Sequence, residues 1–350
     1  MKILYGIQGT GNGHLSRAED IVPILKQLAD VDVLVSGNQS QVNTQFEIDF
    51  QRNGLTFFSS KKGKVDTLKT LRNIGFNKLC SEINNFPIKK YDLVISDFEP
   101  ISSWAALIKG VPCIELSHQA AVIHPSSPKI QNFDPIGQYI MKHYCPSQLK
   151  YGFHFKNYDQ TIFEPIIRNS IRKLNPNQKP FFVVYLPAFH DEIIYSVLKH
   201  FDIEWRVFSK YTKSNYIRKN VQFFPIDQKK FTESFKDCTG VMCGAGFELP
   251  AEAIFLSKKL LVIPLKGQFE QKCNAESLRQ MGITVLDDLN LMHYRTIQNW
   301  INITSPLHID FKPNTLEILE QIINVKFHEN IPTKEYKNPL INFQFYRLFL

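Results

Sequence analysis

Seven glycines form two short clusters about 230 residues apart, and each cluster connects a predicted strand to a predicted helix. Glycine lets backbone N–H groups approach a ligand closely, and a helix N-terminus behind such a loop attracts an anion. Two such loops therefore predict an α/β protein with two Rossmann-like domains that face each other across a cleft. The glycines are Gly6, Gly9, Gly11 and Gly13 in the first cluster, and Gly240, Gly244 and Gly246 in the second.

His14 follows the first cluster, at the start of a predicted helix. The crevice at the carboxyl ends of the strands is where open α/β sheets bind ligands. A helix N-terminus also lowers the pKa of an imidazole, which keeps it neutral and basic. The loop therefore predicts His14 as a working base, with a capping or structural histidine as the alternative. A dinucleotide fingerprint is disfavoured, because it needs glycine where His14 stands and an acid where Ser36 and Gly37 end the second strand.

The second cluster opens the most specific stretch of the chain, GAGFELPAEAIFLSKKLLVIPLKGQFEQKCNA. Gly244, Ala245, Gly246 and Phe247 precede a helix whose first N–H groups can hold a diphosphate. Glu252 lies further along that helix, within reach of a ribose diol. This segment predicts a nucleotide site.

Polar side chains follow the next predicted strand, where Gln268, Glu270 and Gln271 come to the carboxyl edge of the sheet. Carboxylate and amide groups suit sugar hydroxyls, which both donate and accept hydrogen bonds. Glu270 and Gln271 are therefore assigned to the sugar of a nucleotide-linked donor, and Gln268 to donor binding.

The elements that must position these residues alternate along the chain, which favours parallel sheets with helices on both faces. The alternation of predicted strands and helices is absent over 146–180, so the domain junction is expected near 160–178. The predicted strands are 1–7, 31–37, 55–60, 91–97, 111–117, 180–189, 203–209, 220–226, 239–246 and 259–265. The predicted helices are 14–29, 102–110, 191–201, 231–238, 248–258 and 270–282.

Composition sets the class of protein. The chain has 350 residues, 43% of them hydrophobic, and a formal net charge of +8, which favours anionic partners such as nucleotides and phosphates. Its longest apolar runs have the size of strands, and MKILYGIQ reads as a buried strand rather than a signal peptide. The six cysteines form no CxxC pair and are expected to be reduced thiols of a cytoplasmic protein.

With these motifs together, the chain resembles GT-B glycosyltransferases, in particular MurG-related bacterial enzymes and the UDP-glycosyltransferases. The likeness rests on GTGNGH, GAGFELPAEA and GQFEQKCNA and covers nearly the whole chain. It implies an acceptor domain over 1–165, a nucleotide-sugar donor domain over 166–325, and a tail over 326–350 that packs back onto the first domain. No acceptor signature is recognised.

The resemblance also implies roles for individual residues. Asp97 would orient the catalytic His14, while Phe224 and Ile226 would lie beside the nucleobase. Gly11 and Gly13 would belong to the donor side of the cleft.

No metal ligand set is predicted. Asp30 and Asp32 form the only D-x-D sequence, and they lead into the second strand as a polar edge. The leaving group would instead be stabilised by the helix after Gly244. Retaining GT-B enzymes often carry a second Glu eight positions on, where Leu256 and Leu260 stand here, so an inverting displacement is favoured.

The expected activity is transfer of a hexosyl or N-acetylhexosaminyl group from a UDP-sugar to a hydroxyl of a glycan, lipid or small molecule, without a cofactor. The alternatives are a non-hydrolysing UDP-sugar 2-epimerase, for which Asp97, Glu99 and Glu115 could supply carboxylates, and a binding module without catalysis. No nucleic-acid partner is expected. The basic run 61–64, with Lys69 and Arg72, is either a solvated loop or a contact with an anionic acceptor or with the inner face of the cell membrane, so peripheral membrane contact is also considered.

Overall fold

A computed structural model describes residues 1–10, 12–37, 44–54, 76–130 and 134–325. Gly11, the strand predicted at 55–60, the basic run 61–64 with Lys69 and Arg72, and the tail 326–350 lie outside the described residues.

The described residues form two sheets of seven strands each. In the first sheet the spatial order is β3-β2-β1-β4-β5-β6-β7, and all neighbouring strands are parallel. Its strands are β1 (Lys2–Gln8), β2 (Asp30–Ser36), β3 (Phe50–Arg52), β4 (Leu93–Asp97), β5 (Cys113–Ser117), β6 (Leu149–Phe153) and β7 (Ile162–Phe163).

The second sheet has the order β10-β11-β9-β8-β12-β13-β14. Only the edge pair β10–β11 is antiparallel within this sheet. Its strands are β8 (Lys179–Tyr185), β9 (Glu204–Ser209), β10 (Tyr216–Arg218), β11 (Val221–Pro225), β12 (Cys238–Gly244), β13 (Lys259–Ile263) and β14 (Thr284–Val285).

Helices connect the strands, as parallel neighbours require. Those of the first unit are α1 (Asn12–Leu28), α2 (Phe76–Asn85), α3 (Pro100–Lys109), α4 (His118–Ile123), α5 (Pro135–His143) and α6 (Asn169–Arg172). The remaining described helices are α7 (Asp191–Leu198), α8 (Gln228–Asp237), α9 (Glu248–Phe255), α10 (Phe269–Gln280), α11 (Tyr294–Asn302) and α12 (Thr315–Ile323).

Both sheets reverse their strand order at one place, between β1 and β4 in the first and between β8 and β12 in the second. Such a switch point opens a crevice at the carboxyl ends of the strands. Asp97 ends β4 at the first switch point, and Gly244 ends β12 at the second. The topology therefore places the two glycine loops at the two crevices.

A shared hydrophobic core holds the two units together. One cluster of buried side chains contains residues of both sheets. Phe155, after β6, and Phe247, before α9, lie with ring centroids 5.1 Å apart. The last described helix, α12, packs against α1, so the chain returns to the first unit before residue 326.

The predicted α/β architecture is confirmed, but the first sheet extends further than the sequence pattern indicated. Strands β6 and β7 lie within the region where periodicity dissolved, and α4 and α5 were not predicted. A two-residue strand and a six-residue helix are too short to show a period. The domain limits remain predictions; β7 ends at Phe163 and β8 begins at Lys179.

We predict that Gly152→Ala destabilises the protein by about 1–3 kcal/mol, because the added methyl overpacks the core. A Cβ at Gly152 would lie 2.7 Å from Ala121 Cα, which would force α4 away from β6. Urea unfolding measures the change, with Gly246→Ala as the matched control because no atom lies within 4 Å of a Cβ there. Equal stability of the two variants would contradict this packing.

Candidate active site

The first glycine loop brings His14 to Asp97. Helix α1 begins at Asn12, so His14 lies in its first turn, at the carboxyl end of β1. His14 Nδ1 lies 2.9 Å from Asp97 Oδ1. The contact fits an Nδ1–H tautomer, which leaves Nε2 as the basic nitrogen. The two residues that the sequence paired are thus in contact, while their catalytic roles remain predictions.

Arg17, one turn after His14, was not predicted and is the most connected group of the site. Its Nη2 donates to both oxygens of Asp97, at 2.7 and 2.8 Å. Its Nη1 donates to Glu248 Oε1 at 2.5 Å, across the cleft in α9. The guanidinium therefore joins the two units. Gly13 permits this approach, because a Cβ there would lie 2.5 Å from Glu248 Oε2.

The expected lowering of the His14 pKa is wrong. Burial does lower the pKa of His14, but the carboxylates of Asp97 and Glu248 and the hydrogen bond to Asp97 outweigh it, and the pKa is raised above 6.5. For Asp97 itself burial raises the pKa, while Arg17 and His14 outweigh burial and lower it. Nearby carboxylates thus outweigh burial in setting the direction of the His14 pKa shift.

Gln119 links His14 to the second unit. Its Nε2 lies 3.4 Å from His14 Nε2 and donates to Glu270 Oε2 at 3.0 Å. Its Oε1 is buried and has no hydrogen-bond partner among the described residues. Glu270, assigned to the donor sugar, therefore lies one side chain away from the predicted base.

The second glycine loop is open on its ligand side. A Cβ at Gly246 would meet no atom within 4 Å, and Gly246 is not among the positive-φ glycines. A positive φ at Gly246 would have strained any other residue there. Because φ is not positive, a substitution at Gly246 causes no backbone strain. No side chain caps the first turn of α9. Its first N–H groups remain free of a side-chain cap, as an anion site requires.

Helix α10 supports this loop from behind. Asn274 Nδ2 donates to the carbonyl of Ala245 at 3.1 Å, and Asn274 Oδ1 lies 2.7 Å from His118 Nε2. The His118 ring stacks on Phe247 at a centroid distance of 4.0 Å. Ala245 and Phe247 are thus fixed from the first unit as well as from α10.

Gln271 also lies against the loop. Its Oε1 would lie 3.6 Å from a Cβ at Gly244 and accepts a hydrogen bond from the Leu265 N–H at 2.9 Å. Gln268 is the residue that precedes α10 and makes no side-chain capping hydrogen bond. The structure therefore brings together the loop predicted to bind the diphosphate and the segment predicted to bind the sugar.

Glu252 is buried and already partnered. Arg168, in the connection between the sheets, donates to its two oxygens at 2.6 and 2.9 Å. A ribose diol would have to share the carboxylate with that guanidinium. The predicted ribose contact therefore remains a prediction, with a competitor that the sequence did not reveal.

Phe224 and Ile226 lie apart from the other predicted residues. Phe224 is on β11 and stacks with Phe208 at a centroid distance of 5.3 Å, and Ile226 follows that strand. Strand β11 is three positions from β12, or roughly 14 Å at the usual strand spacing. That separation suits the two ends of a nucleotide, and the nucleobase assignment remains a prediction.

The D-x-D sequence lies at the amino ends of the strands of the first sheet, whereas the glycine loop lies at their carboxyl ends. Asp30 and Asp32 begin β2, where Lys90 and Tyr91 donate to Asp32 at 2.8 and 2.6 Å. Among the described residues, no group of three His, Cys, Asp or Glu side chains is arranged to hold a metal ion. All six cysteines are free thiols.

Comparison with known proteins decides the family. The profile of glycosyl transferase family 1 matches residues 1–303. The chain belongs to this family. No curated protein sequence matches the chain.

Solved structures give the fold. MurG of Acinetobacter baumannii is similar over 93% of this chain and 99% of its own, with 14% identity and a TM-score of 0.53. UGT2 of Phytolacca americana, complexed with UDP-2-fluoroglucose and pterostilbene, covers 99% and 98%, with 12% identity and a TM-score of 0.56. The spinosyn rhamnosyltransferase SpnG, complexed with thymidine diphosphate, covers 92% and 96%, with 11% identity and a TM-score of 0.55. The architecture of this glycosyltransferase is therefore GT-B, as its sequence indicated.

Sequence reasoning missed the partners of the predicted residues. Arg17 carried one usable signal, because it stands three positions after His14 and so shares its helix face. Gln119 and Arg168 carried none, since neither belongs to a recognised motif. Their positions follow only from the folded sheets.

The raised pKa of His14 predicts a measurable titration. In a ¹H–¹³C spectrum the His14 imidazole should titrate above pH 6.5, and in Glu248→Gln its pKa should fall. The sign follows because Glu248 stabilises the imidazolium. In His200→Ala the signal that disappears belongs to a remote histidine, and it can therefore be distinguished from the signal of His14. An unchanged His14 pKa in Glu248→Gln would contradict this electrostatic coupling.

Proposed function

We propose that this glycosyltransferase moves a hexosyl or N-acetylhexosaminyl group from a UDP-sugar to a hydroxyl acceptor, with inversion and without a metal ion. One observation carries the proposal: the His14–Asp97 pair faces the donor segment of the second unit, with Glu270 joined to it through Gln119. The partners are accordingly a nucleotide-sugar and a glycan, lipid or small-molecule alcohol.

In this mechanism His14 Nε2 takes the proton of the acceptor hydroxyl as the oxygen attacks the anomeric carbon. Asp97 accepts from Nδ1–H, which fixes the ring and stabilises the imidazolium that forms. The bond from the anomeric carbon to the diphosphate breaks on the opposite face. The N-terminus of α9 stabilises the negative charge of the departing diphosphate, a role that a metal ion has in other transferases.

The donor contacts fall into two groups, one for the nucleoside and one for the sugar. Glu252 accepts hydrogen bonds from the ribose diol, and the nucleobase lies near Phe224. Glu270 and Gln271, both in the first turn of α10, contact the sugar hydroxyls. The position of Gln271 against Gly244 supports this division, because its amide lies beside the loop proposed to hold the diphosphate.

The epimerase alternative is not favoured. The family is one of glycosyl transferases, and the similar SpnG is described as a rhamnosyltransferase. The additional carboxylates it would use are also engaged elsewhere. Glu99 caps α3 by accepting from the N–H groups of Ile101 and Ser102, and Glu115 pairs with Lys150 and accepts from Ser117.

Membrane contact gains no support. Among the described residues no helix is both long enough and apolar enough to cross a bilayer. The basic run 61–64, on which a peripheral contact depended, lies outside the described residues.

We predict that His14→Ala lowers turnover of a UDP-sugar about 10²–10⁴-fold, the usual contribution of a general base. UDP affinity should stay unchanged, since His14 contacts no predicted donor group directly. His200→Ala, an exposed histidine of the second unit, is the control. Turnover near the wild-type rate in His14→Ala would remove His14 from the mechanism.

Metal independence is tested separately with the wild-type protein. Activity that EDTA abolishes and Mg²⁺ restores would contradict it.

We predict that Glu252→Gln weakens UDP and UDP-sugar alike, by about 1.5–3 kcal/mol for a lost charged hydrogen bond. Gln271→Ala should weaken only the UDP-sugar, because UDP lacks the sugar. Calorimetric titration of both ligands against both variants separates the two roles. Glutamine is used at position 252 because alanine would leave the buried Arg168 without a partner. Equal weakening of UDP and UDP-sugar by Gln271→Ala would refute its sugar contact.

A further inference from the structure

The first unit contains a cavity of about 550 Å³, and none of the predicted site residues that the structure describes lines it. It lies among α4, α5 and the strands β6 and β7, and Phe269 of α10 closes one side. Much of its lining is apolar, with Ala120, Ile123 and Ile162 among the side chains. Its size suits the greater part of a drug-sized organic molecule.

Three lysines, Lys129, Lys142 and Lys150, line the same cavity, and we call it the lysine cavity. No Asp or Glu is among its described lining residues. Lys150 pairs with Glu115, whose carboxylate is buried.

The other two lysines have no carboxylate partner among the described ion pairs. Lys129 Nζ instead donates to the carbonyls of Val122 and His124, both at 2.6 Å. Lys142 is exposed. Because Glu115 neutralises only Lys150, the cavity lining retains the positive charges of Lys129 and Lys142.

Two residues that line the lysine cavity are next in sequence to residues that contact the predicted base or its hydrogen-bond partner. Ala120 and Phe269 line the cavity, and the residues next to them, Gln119 and Glu270, form the hydrogen bond that reaches His14. The buried Gln119 Oε1 has no partner among the described residues and can accept from a ligand hydroxyl. Gln119 therefore precedes Ala120 of the cavity wall by one residue in the chain and contacts His14 with its side chain.

We propose that the lysine cavity binds the acceptor, and that the acceptor is a hydroxyl compound with an apolar body and an anionic group, either carboxylate or phosphate. The inference rests on the proposed transferase function and adds the chemical class of its second substrate. An anion in a cavity with apolar walls interacts more strongly with lysine than it would in water. The apolar lining takes up the body, while the hydroxyl extends toward Gln119 and His14.

The test uses probes of one shape and different charge: 6-hydroxy-2-naphthoate, 6-hydroxy-2-naphthyl phosphate and the neutral 6-hydroxy-2-naphthamide. Each is titrated by calorimetry into protein saturated with UDP, so that the diphosphate site is already filled. At least one anion should bind about tenfold more tightly than the amide, and the better anion identifies the acidic group. Lys142→Gln should weaken that anion about 3–10-fold and leave the amide unchanged. Lys213→Gln, an exposed lysine of the second unit, is the control.

Lys150→Gln can fail to fold, because it leaves Glu115 buried without its partner. The double variant Glu115→Gln/Lys150→Gln removes both charges, and it should bind the anion like the wild type to within about threefold. The hydroxylated anion should also shift the His14 imidazole signals. Equal affinity for anion and amide, an unchanged affinity in Lys142→Gln, or binding without any shift of His14 would each overturn the inference. Absence of saturable UDP binding would instead refute the proposed function, so the two failures are distinguishable.

Discussion

Arg17 holds the two units in register, and the geometry of the cleft depends on it. Its side chain is 1% exposed and lies between Asp97 of the first unit and Glu248 of the second. Arg17 and Asp97 are both fully buried, and loss of one partner of such a pair costs about 3–5 kcal/mol, whereas the Glu248 side chain is 23% exposed. Asp97 is thereby oriented for His14, and the two carboxylates together raise the pKa of that imidazole.

The carboxylates of the donor side are engaged before any donor arrives. Glu248 pairs with Arg17, Glu252 with Arg168, and Glu270 accepts from Gln119. A nucleotide-sugar must share or replace these partners, whereas the backbone at Gly246 is open. The loop at Gly246, the proposed diphosphate site, is therefore the part of the proposed donor site that is open in the structure.

The sequence predicted those features that are local in the chain. The glycine loops, the strand that ends at Asp97, the strand that leads into the second glycine loop, and the position of His14 all follow from short motifs and periodicity. The partners could not be predicted in that way, because Arg17 and Glu248 are 231 residues apart in sequence. The predicted direction of the His14 pKa was wrong because the effect of the paired Asp97 carboxylate was not weighed, and Glu248 of the second unit adds to it.

The central claim is that a nucleoside diphosphate lies between the second glycine loop and His14. A crystal structure of the UDP complex tests it most directly. The account predicts the diphosphate on the N–H groups of Gly246 and Phe247, with its terminal phosphate directed toward the His14 side of the cleft. A diphosphate bound elsewhere, with the loop at Gly246 left empty, would contradict the account.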